Sequence, residues 1–338
     1  MDSKPNPPLT SLGNPRDAVV IGGCGFVGSH FVDRLLGDHS VQSVTVFDNL
    51  SGGHLWHIEH HQSDERLKVV IADVREVSKL QDACKGHSTI IHLASNPDIA
   101  AAATNPSIDF DQGTLLTHCV AEAARTSGIT TVLYASGSGV YGDLGDLEAD
   151  EDYGPLVPVS TYAASKLAGE ALLSAYSHMF DFRTVAFRFG NVVGPRQTHG
   201  VGFDFIRQLM VDPTKLKILG DGEQSKSYVY IGDIVNAVLT ANAKSAARFN
   251  VFNVATGDYI TVTEIGKLAC EALGISKQSV DFVYSGGTRG WKGDVPVVRL
   301  SSDRIRNIGW LPRKNSGESL FAAMQAMASE PRTSRKWM

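Results

Sequence analysis

The sequence predicts an α/β fold: a doubly wound parallel sheet with a smaller C-terminal α/β lobe. Three observations carry this expectation. Short apolar runs recur between stretches of helical spacing, a glycine-rich turn follows the first run, and the alternation weakens beyond Asn191. Strands buried on both faces read as near-continuous apolar runs, and strands separated by helices pair in parallel through crossovers.

The opening "MDSKPNPPLTSLGNPRD" is proline-containing and lacks an apolar segment, so residues 1–16 read as a disordered leader. "DAVVIGG" then gives a strand ending in glycines, and "FVGSHFVDRLLG" carries apolar residues at helical spacing up to Gly37. Buried strands follow at 43–48 ("SVTVFD"), 67–73 ("LKVVIAD"), 88–94 ("STIIHLA"), 130–136 ("TTVLYAS") and 184–190 ("TVAFRFG"), separated by helical stretches such as "LLTHCVAEAARTSG". Residues 17–190 are expected to form a nucleotide-binding domain to which 234–257 returns. Residues 191–233 and 258–330 form the second lobe, whose glycine-rich stretches "GPRQTHGVGF", "ILGDGEQSKSYVYIGD" and "VYSGGTRGWKGDVPVV" supply loops over the strand ends.

The chain has 338 residues, 43% of them apolar and 20% charged, with a formal net charge of −5. That composition supports a large core, and without a lysine or arginine run it offers neither a nucleic-acid footprint nor a polybasic membrane patch. No apolar run reaches the roughly 18 residues needed to span a bilayer. Cys24, Cys84, Cys119 and Cys270 lack C-x-x-C spacing and read as buried, reduced thiols of a cytoplasmic protein. No metal centre is expected, and the partners are expected to be small molecules.

In "GGCGFVG", Gly22, Gly25 and Gly28 form G-x-x-G-x-x-G between a strand and a helix that opens with Phe26 and Val27. Such a turn lets backbone approach a pyrophosphate, whose charge rests on helix N-terminal N–H groups. Asp48 ends the second strand twenty residues after Gly28, where a carboxylate accepts both ribose hydroxyls of an adenosine. That carboxylate repels a 2′-phosphate, and Asn49 and the rest of "DNLSGG" bring no cation to neutralise one, so NAD is favoured over NADP. Asp73 and Val74 are placed to face the adenine. Leu93, Ala94 and Ser95 pass beneath the nicotinamide half, and His92, inside the strand, reads as a packed residue.

"STYAASK" sets Tyr162 and Lys166 at i and i+4, so both side chains leave one helix face. An ammonium beside a phenol favours the phenolate and makes tyrosine a usable acid/base; lysine can also hold a ribose hydroxyl.

From about 17 to 325 the chain resembles the extended short-chain dehydrogenase/reductase family, in its nucleotide-sugar epimerase and dehydratase branch. The landmarks are "GGCGFVG", "FDNLSGG", "IADV", "HLAS", "GVYGD", "STYAASKLAGE", "FRFGNVVGPRQ", "LGDGEQSKSYVYIGDI" and "NIGW". The resemblance implies a Rossmann domain binding NAD, a nucleotide-sugar substrate with UDP favoured, and a homodimer built through two helices per subunit. It also makes Tyr162 the acid/base, Lys166 its partner, and Asn191 and the Gln224 to Lys226 segment ligands of the sugar-nucleotide diphosphate. Val201 joins the substrate-binding set, and Arg289 or Lys292 supplies a second cation near Asp294. Asn96 and Asp98 either bind sugar hydroxyls or serve the Asn-Pro turn.

The sequence departs from the family where a serine or threonine normally stands four residues before the tyrosine of "VYG": that position is Gly137, with Ser136 and Ser138 on either side. Neighbouring side chains on an extended strand face opposite ways, so neither Ser136 nor Ser138 reaches that site unless the chain turns early, as the glycines of "GSG" permit; Ser138 or a water is expected to replace the hydroxyl, with Ser136 the other candidate. Dehydratases of the family use acidic residues where Ser138 and Gly139 stand, and the cysteine of its 3,5-epimerases is replaced as well. Hydride chemistry at one carbon remains, and the leading expectation is an NAD-dependent 4-epimerase of a UDP-hexose, uronate or N-acetylhexosamine, with Val298 leaving room for an N-acetyl group. The alternatives are a C4 dehydrogenase or other keto-sugar enzyme acting on a GDP- or CDP-linked sugar, and a non-catalytic nucleotide-binding protein.

Overall fold

The structure, a computed structural model, describes residues 15–96, 99–290 and 293–330. The expected leader therefore lies almost wholly outside the described residues, as do Asp98 and Lys292.

Seven strands form one sheet: β1 (Asp17–Ile21), β2 (Ser43–Asp48), β3 (Leu67–Ile71), β4 (Thr89–His92), β5 (Thr131–Gly137), β6 (Arg183–Phe189) and β7 (Phe249–Val254). Their spatial order is β3-β2-β1-β4-β5-β6-β7, and every neighbouring pair is parallel. The helices between them are α1 (Phe26–Leu36), α2 (Val77–Cys84), α3 (Leu115–Thr126), α4 (Thr161–Met179), α5 (Val201–Val211) and α6 (Ile231–Lys244). Alternating strand residues feed two separate cores. Val20, Val46, Ile91 and Phe187 pack with Phe31 of α1 and Ile234 of α6. Ile21, Phe47, Ile90 and Val132 pack on the opposite face with Leu80 of α2, Val120 of α3 and Leu173 of α4. Continuous apolar runs are the sequence trace of this two-sided burial.

A third core joins α5 to α7 (Val262–Ala272) and α8 (Ser316–Ser329) through Ile206, Leu209, Ile265, Ala269, Leu320 and Met324. Capping boxes start both later helices: Thr261 with Glu264, and Asn315 with Glu318. The strand order reverses between β1 and β4, and the carboxyl ends of all seven strands face the same edge. That edge is where open parallel sheets of this kind bind their ligands.

Candidate active site

The glycine turn is a packing requirement before it is a binding site. Gly22 has φ +82°, and a Cβ there would stand 2.9 Å from the Ala94 backbone nitrogen. At Gly28 a Cβ would fall 2.1 Å from the Gly22 carbonyl oxygen, so the absence of both side chains lets α1 sit directly on the turn. Gly25 donates its N–H to that carbonyl at 3.1 Å and caps the helix. The Phe26 and Val27 side chains pack into the core, which leaves only their backbone groups at the helix N-terminus to meet a ligand.

Asp48 is buried. Its Oδ2 accepts from Cys24 N at 2.9 Å and its Oδ1 from Leu50 N at 2.8 Å. Burial pushes its carboxyl above the ordinary range against the pull of those two N–H groups. An ionised carboxylate accepts about four hydrogen bonds, so lone pairs remain for ribose hydroxyls. Asp48 lines a cavity with Asn49, Asp73, Val74, Ala94 and Ser95, joined by Gly22. Leu93 and Ala94 both donate to the Ile21 carbonyl, at 3.0 and 3.1 Å, which turns the chain after β4 past the glycine loop.

Arg75 lines the same cavity and was not foreseen, because it comes from a different segment than "DNLSGG". Its guanidinium grips Asp73 with two bonds of 2.8 Å, and Asn49 Nδ2 adds a third at 3.1 Å. The pair holds the Asp73 carboxyl far below the usual range and leaves Arg75 committed to a carboxylate.

On α4, the Ser160 hydroxyl caps the helix by accepting from Ala163 N at 3.2 Å. Tyr162, half-buried, and Lys166, buried, leave the same face as expected. Lys166 Nζ donates to the Ala135 carbonyl at 2.8 Å and lies 5.5 Å from the Tyr162 ring centroid. Behind it, His92 is buried with Nε2 3.1 Å from Thr117 Oγ1. Burial, aided by Lys166, pushes this imidazole down to about 3. His92 is a neutral packing residue near neutral pH.

The candidate hydroxyls separate cleanly. Ser136 is buried and donates to Glu170 Oε1 at 2.5 Å, two helical turns along α4 from Tyr162. Glu170 is paired with Arg188 at 2.7 Å, and Arg188 donates in turn to the Tyr141 hydroxyl at 2.8 Å. Ser136 thus belongs to a buried network that ties β5, α4 and β6 together. Gly137 is extended, with φ −158° and ψ 159°, and the chain turns at Ser138 into a 3₁₀ segment, Ser138–Tyr141. Gly139 lies so close to Ala163 that a Cβ on it would be 3.0 Å from the alanine's own. The Ser138 turn therefore packs on the first turn of α4, beside Tyr162. A Cβ placed on Gly137 meets nothing within 4 Å.

Asn96 is likewise turned inward. It is buried, with Nδ2 2.9 Å from Asp109 Oδ1, and Asp109 Oδ2 accepts from the Thr161 hydroxyl at 2.7 Å. Through Asp109 it supports the start of α4. Asp109 is a residue that sequence reasoning missed, since nothing in "SIDFDQG" announces a buried carboxylate.

The remaining residues gather beyond β6. Gly137 and Phe189 are paired in register, so Asn191 emerges next to the end of β5. Asn191 is exposed and donates its backbone N–H to the Ser227 carbonyl at 3.1 Å, which sets it beside Lys226. Lys226 Nζ contacts Asp294 Oδ1 at 2.6 Å. Arg289 donates to the Asp294 carbonyl at 2.5 Å and to Asp143 Oδ2 at 2.6 Å. Both cations are thus already matched by carboxylates. Gln224 is buried, its Nε2 3.4 Å from the Leu219 carbonyl. Val201 opens α5 behind Gly200.

The glycine turn with Asp48 and the Tyr162–Lys166 face lie on one edge of a parallel sheet, where sheets of this kind take a nucleotide. The model of the NAD dependent epimerase/dehydratase family matches residues 18–255, and the chain belongs to that family. A UDP-glucose 4-epimerase of Mycolicibacterium smegmatis is 31% identical over 315 residues, covering 91% of this chain and 97% of the relative. A crystal structure of a UDP-galactose 4-epimerase superposes with a TM-score of 0.82 at 33% identity, over 93% of this chain and 99% of the other. A dTDP-glucose 4,6-dehydratase of Streptomyces venezuelae, solved with NAD bound, gives 0.84 at 26% identity, over 93% and 97%. The cofactor is NAD, and the Gly22, Asp48 and Asp73 cradle fits it. Among the described residues no helix is long and apolar enough to cross a membrane.

Proposed function

We propose that the protein is a nucleotide-sugar 4-epimerase acting on a UDP-hexose, its uronate or its N-acetylhexosamine form through a transient 4-keto sugar. The observation that carries the reading is the turn packed beside Tyr162: Ser138 and Gly139 stand there, and neither supplies the carboxyl group that elimination of water requires. The nearby Glu170 carboxylate is committed to Arg188 and Ser136. When bound, NAD would supply the hydride acceptor and donor at C4. Tyr162 takes the C4 hydroxyl proton and gives it back, Lys166 holds a ribose hydroxyl, and Ser138 donates a hydrogen bond to the C4 oxygen.

Gly22, Gly25 and Gly28, with the backbone of Phe26 and Val27, hold the pyrophosphate. Asp48 and Asn49 hold the adenosine ribose, Asp73 and Val74 the adenine, and Leu93, Ala94 and Ser95 underlie the nicotinamide. Asn191, Gln224 and Lys226 bind the sugar-nucleotide diphosphate with Arg289, around Asp294, in a lobe built from 191–233 and 258–330. A homodimer through two helices per subunit and a cytoplasmic location complete the proposal. Tyr162→Phe and Ser138→Ala test it together. The first is expected to lower turnover by about 10²–10⁴-fold and the second to slow it less, both retaining NAD, whereas full activity in Tyr162→Phe would sink the assignment.

A further inference from the structure

The histidine-rich stretch between β2 and β3 folds against α1. Asp33 on α1 aims Oδ1 at two imidazoles: His60 Nε2 is 2.8 Å away and His61 Nε2 2.9 Å. The donor atoms of the three residues all lie within 4.8 Å of one another. Asp33 Oδ2 is engaged by the Arg196 guanidinium, which fixes the carboxylate with Oδ1 toward the histidines. We propose that Asp33, His60 and His61 bind a divalent first-row transition metal ion of the Zn²⁺, Co²⁺ or Ni²⁺ type, with water completing the shell on the exposed side of His60.

Spacing and donor chemistry carry the inference. Bonds of about 2.0–2.1 Å run from such ions to imidazole nitrogen and carboxylate oxygen. Two donors 2.8 or 2.9 Å apart then subtend about 90° at the ion, the edge of an octahedral shell. Two imidazoles and one carboxylate suit these ions better than Ca²⁺ or Mg²⁺, which take oxygen. The ion displaces the N–H bridges to Oδ1, and each neutral ring then carries its proton on Nδ1.

Arg196 acts as an outer partner that orients the ligating carboxylate, as such partners commonly do. It also donates to the His57 carbonyl at 2.7 Å, and His57 Nδ1 lies 2.7 Å from the Cys24 carbonyl of the glycine turn. A bound ion therefore staples α1 to the β2–β3 connection around that turn. The ligands come from separated segments, so no spacing motif marks them in the sequence.

The test uses the tag-free, NAD-loaded full chain, stripped with chelator and titrated with CoCl₂ by calorimetry and visible absorption. One saturable equivalent is expected, with a rise in melting temperature on loading. His60→Gln and His61→Gln, which leave the Asp33 to Arg196 contact in place, should each weaken binding by about tenfold or more with turnover unchanged. Absence of a saturable signal, or its survival in the double variant, overturns the site. X-ray absorption of the Co²⁺-loaded wild-type protein decides independently of any variant: two imidazole nitrogens support the assignment, and an all-oxygen shell contradicts it.

Discussion

Lys166 Nζ lies over the Tyr162 ring while anchored on the Ala135 carbonyl. Loss of the phenol in Tyr162→Phe should lower turnover by about 10²–10⁴-fold, the usual contribution of a positioned acid/base, with melting temperature and bound NAD preserved. Gly137 is the other informative residue. It is extended and unobstructed, so Gly137→Ser should fold normally and gain about 0.4–1 kcal/mol from the stiffer unfolded chain, measured by urea denaturation. His92 gives a pH signature. It is held at about 3 against an ordinary 6.5, so below about pH 6.5 the unfolded chain takes up a proton that the folded chain refuses. Its stability contribution is complete above that pH and falls by about 1.4 kcal/mol per pH unit as the solution is acidified towards about 3. Unfolding free energies between about pH 6 and 4 should show this slope, reduced by one proton in His92→Gln.

The glycine turn and α4 are the elements on which the site depends. A methyl on Gly28 would collide with the Gly22 carbonyl, so Gly28→Ala should lose NAD on desalting, and retention of the cofactor would contradict the packing account. On α4, Tyr162, Lys166 and Glu170 form one stripe, and the Glu170 to Arg188 pair joins it to β6 where both partners are buried. Arg188→Met leaves a buried carboxylate unpaired and should cost about 3–5 kcal/mol, measured by denaturant unfolding. These elements were legible to different degrees. Strand–turn–helix periodicity and the i, i+4 pair are local, so the glycine turn and the Tyr162 face could be read directly. Ser136 and Asn96 look equally polar in sequence, and only their tertiary partners, Glu170 and Asp109, show that both point inward. Arg75 and Asp109 were missed for the same reason: their roles depend on contacts made across the chain.

At the scale of the molecule, parallel order delivers every strand end to one edge, and the register of Gly137 with Phe189 brings the Ser138 turn and Asn191 together there. The sheet was foreseeable because burial on two faces leaves continuous apolar runs. The second lobe was less so, since its core is assembled from α5, α7 and α8, which are far apart in the chain. The central claim is that hydride leaves C4 and returns to it without a second proton-transfer group. The most direct measurement incubates the protein with UDP-, dTDP-, GDP- and CDP-sugars, following product configuration by NMR and reduced nicotinamide by its absorbance. The account predicts that a UDP-sugar converts to its C4 epimer with no net accumulation of NADH. Stoichiometric NADH with a released keto sugar, or a 4-keto-6-deoxy product, would contradict it.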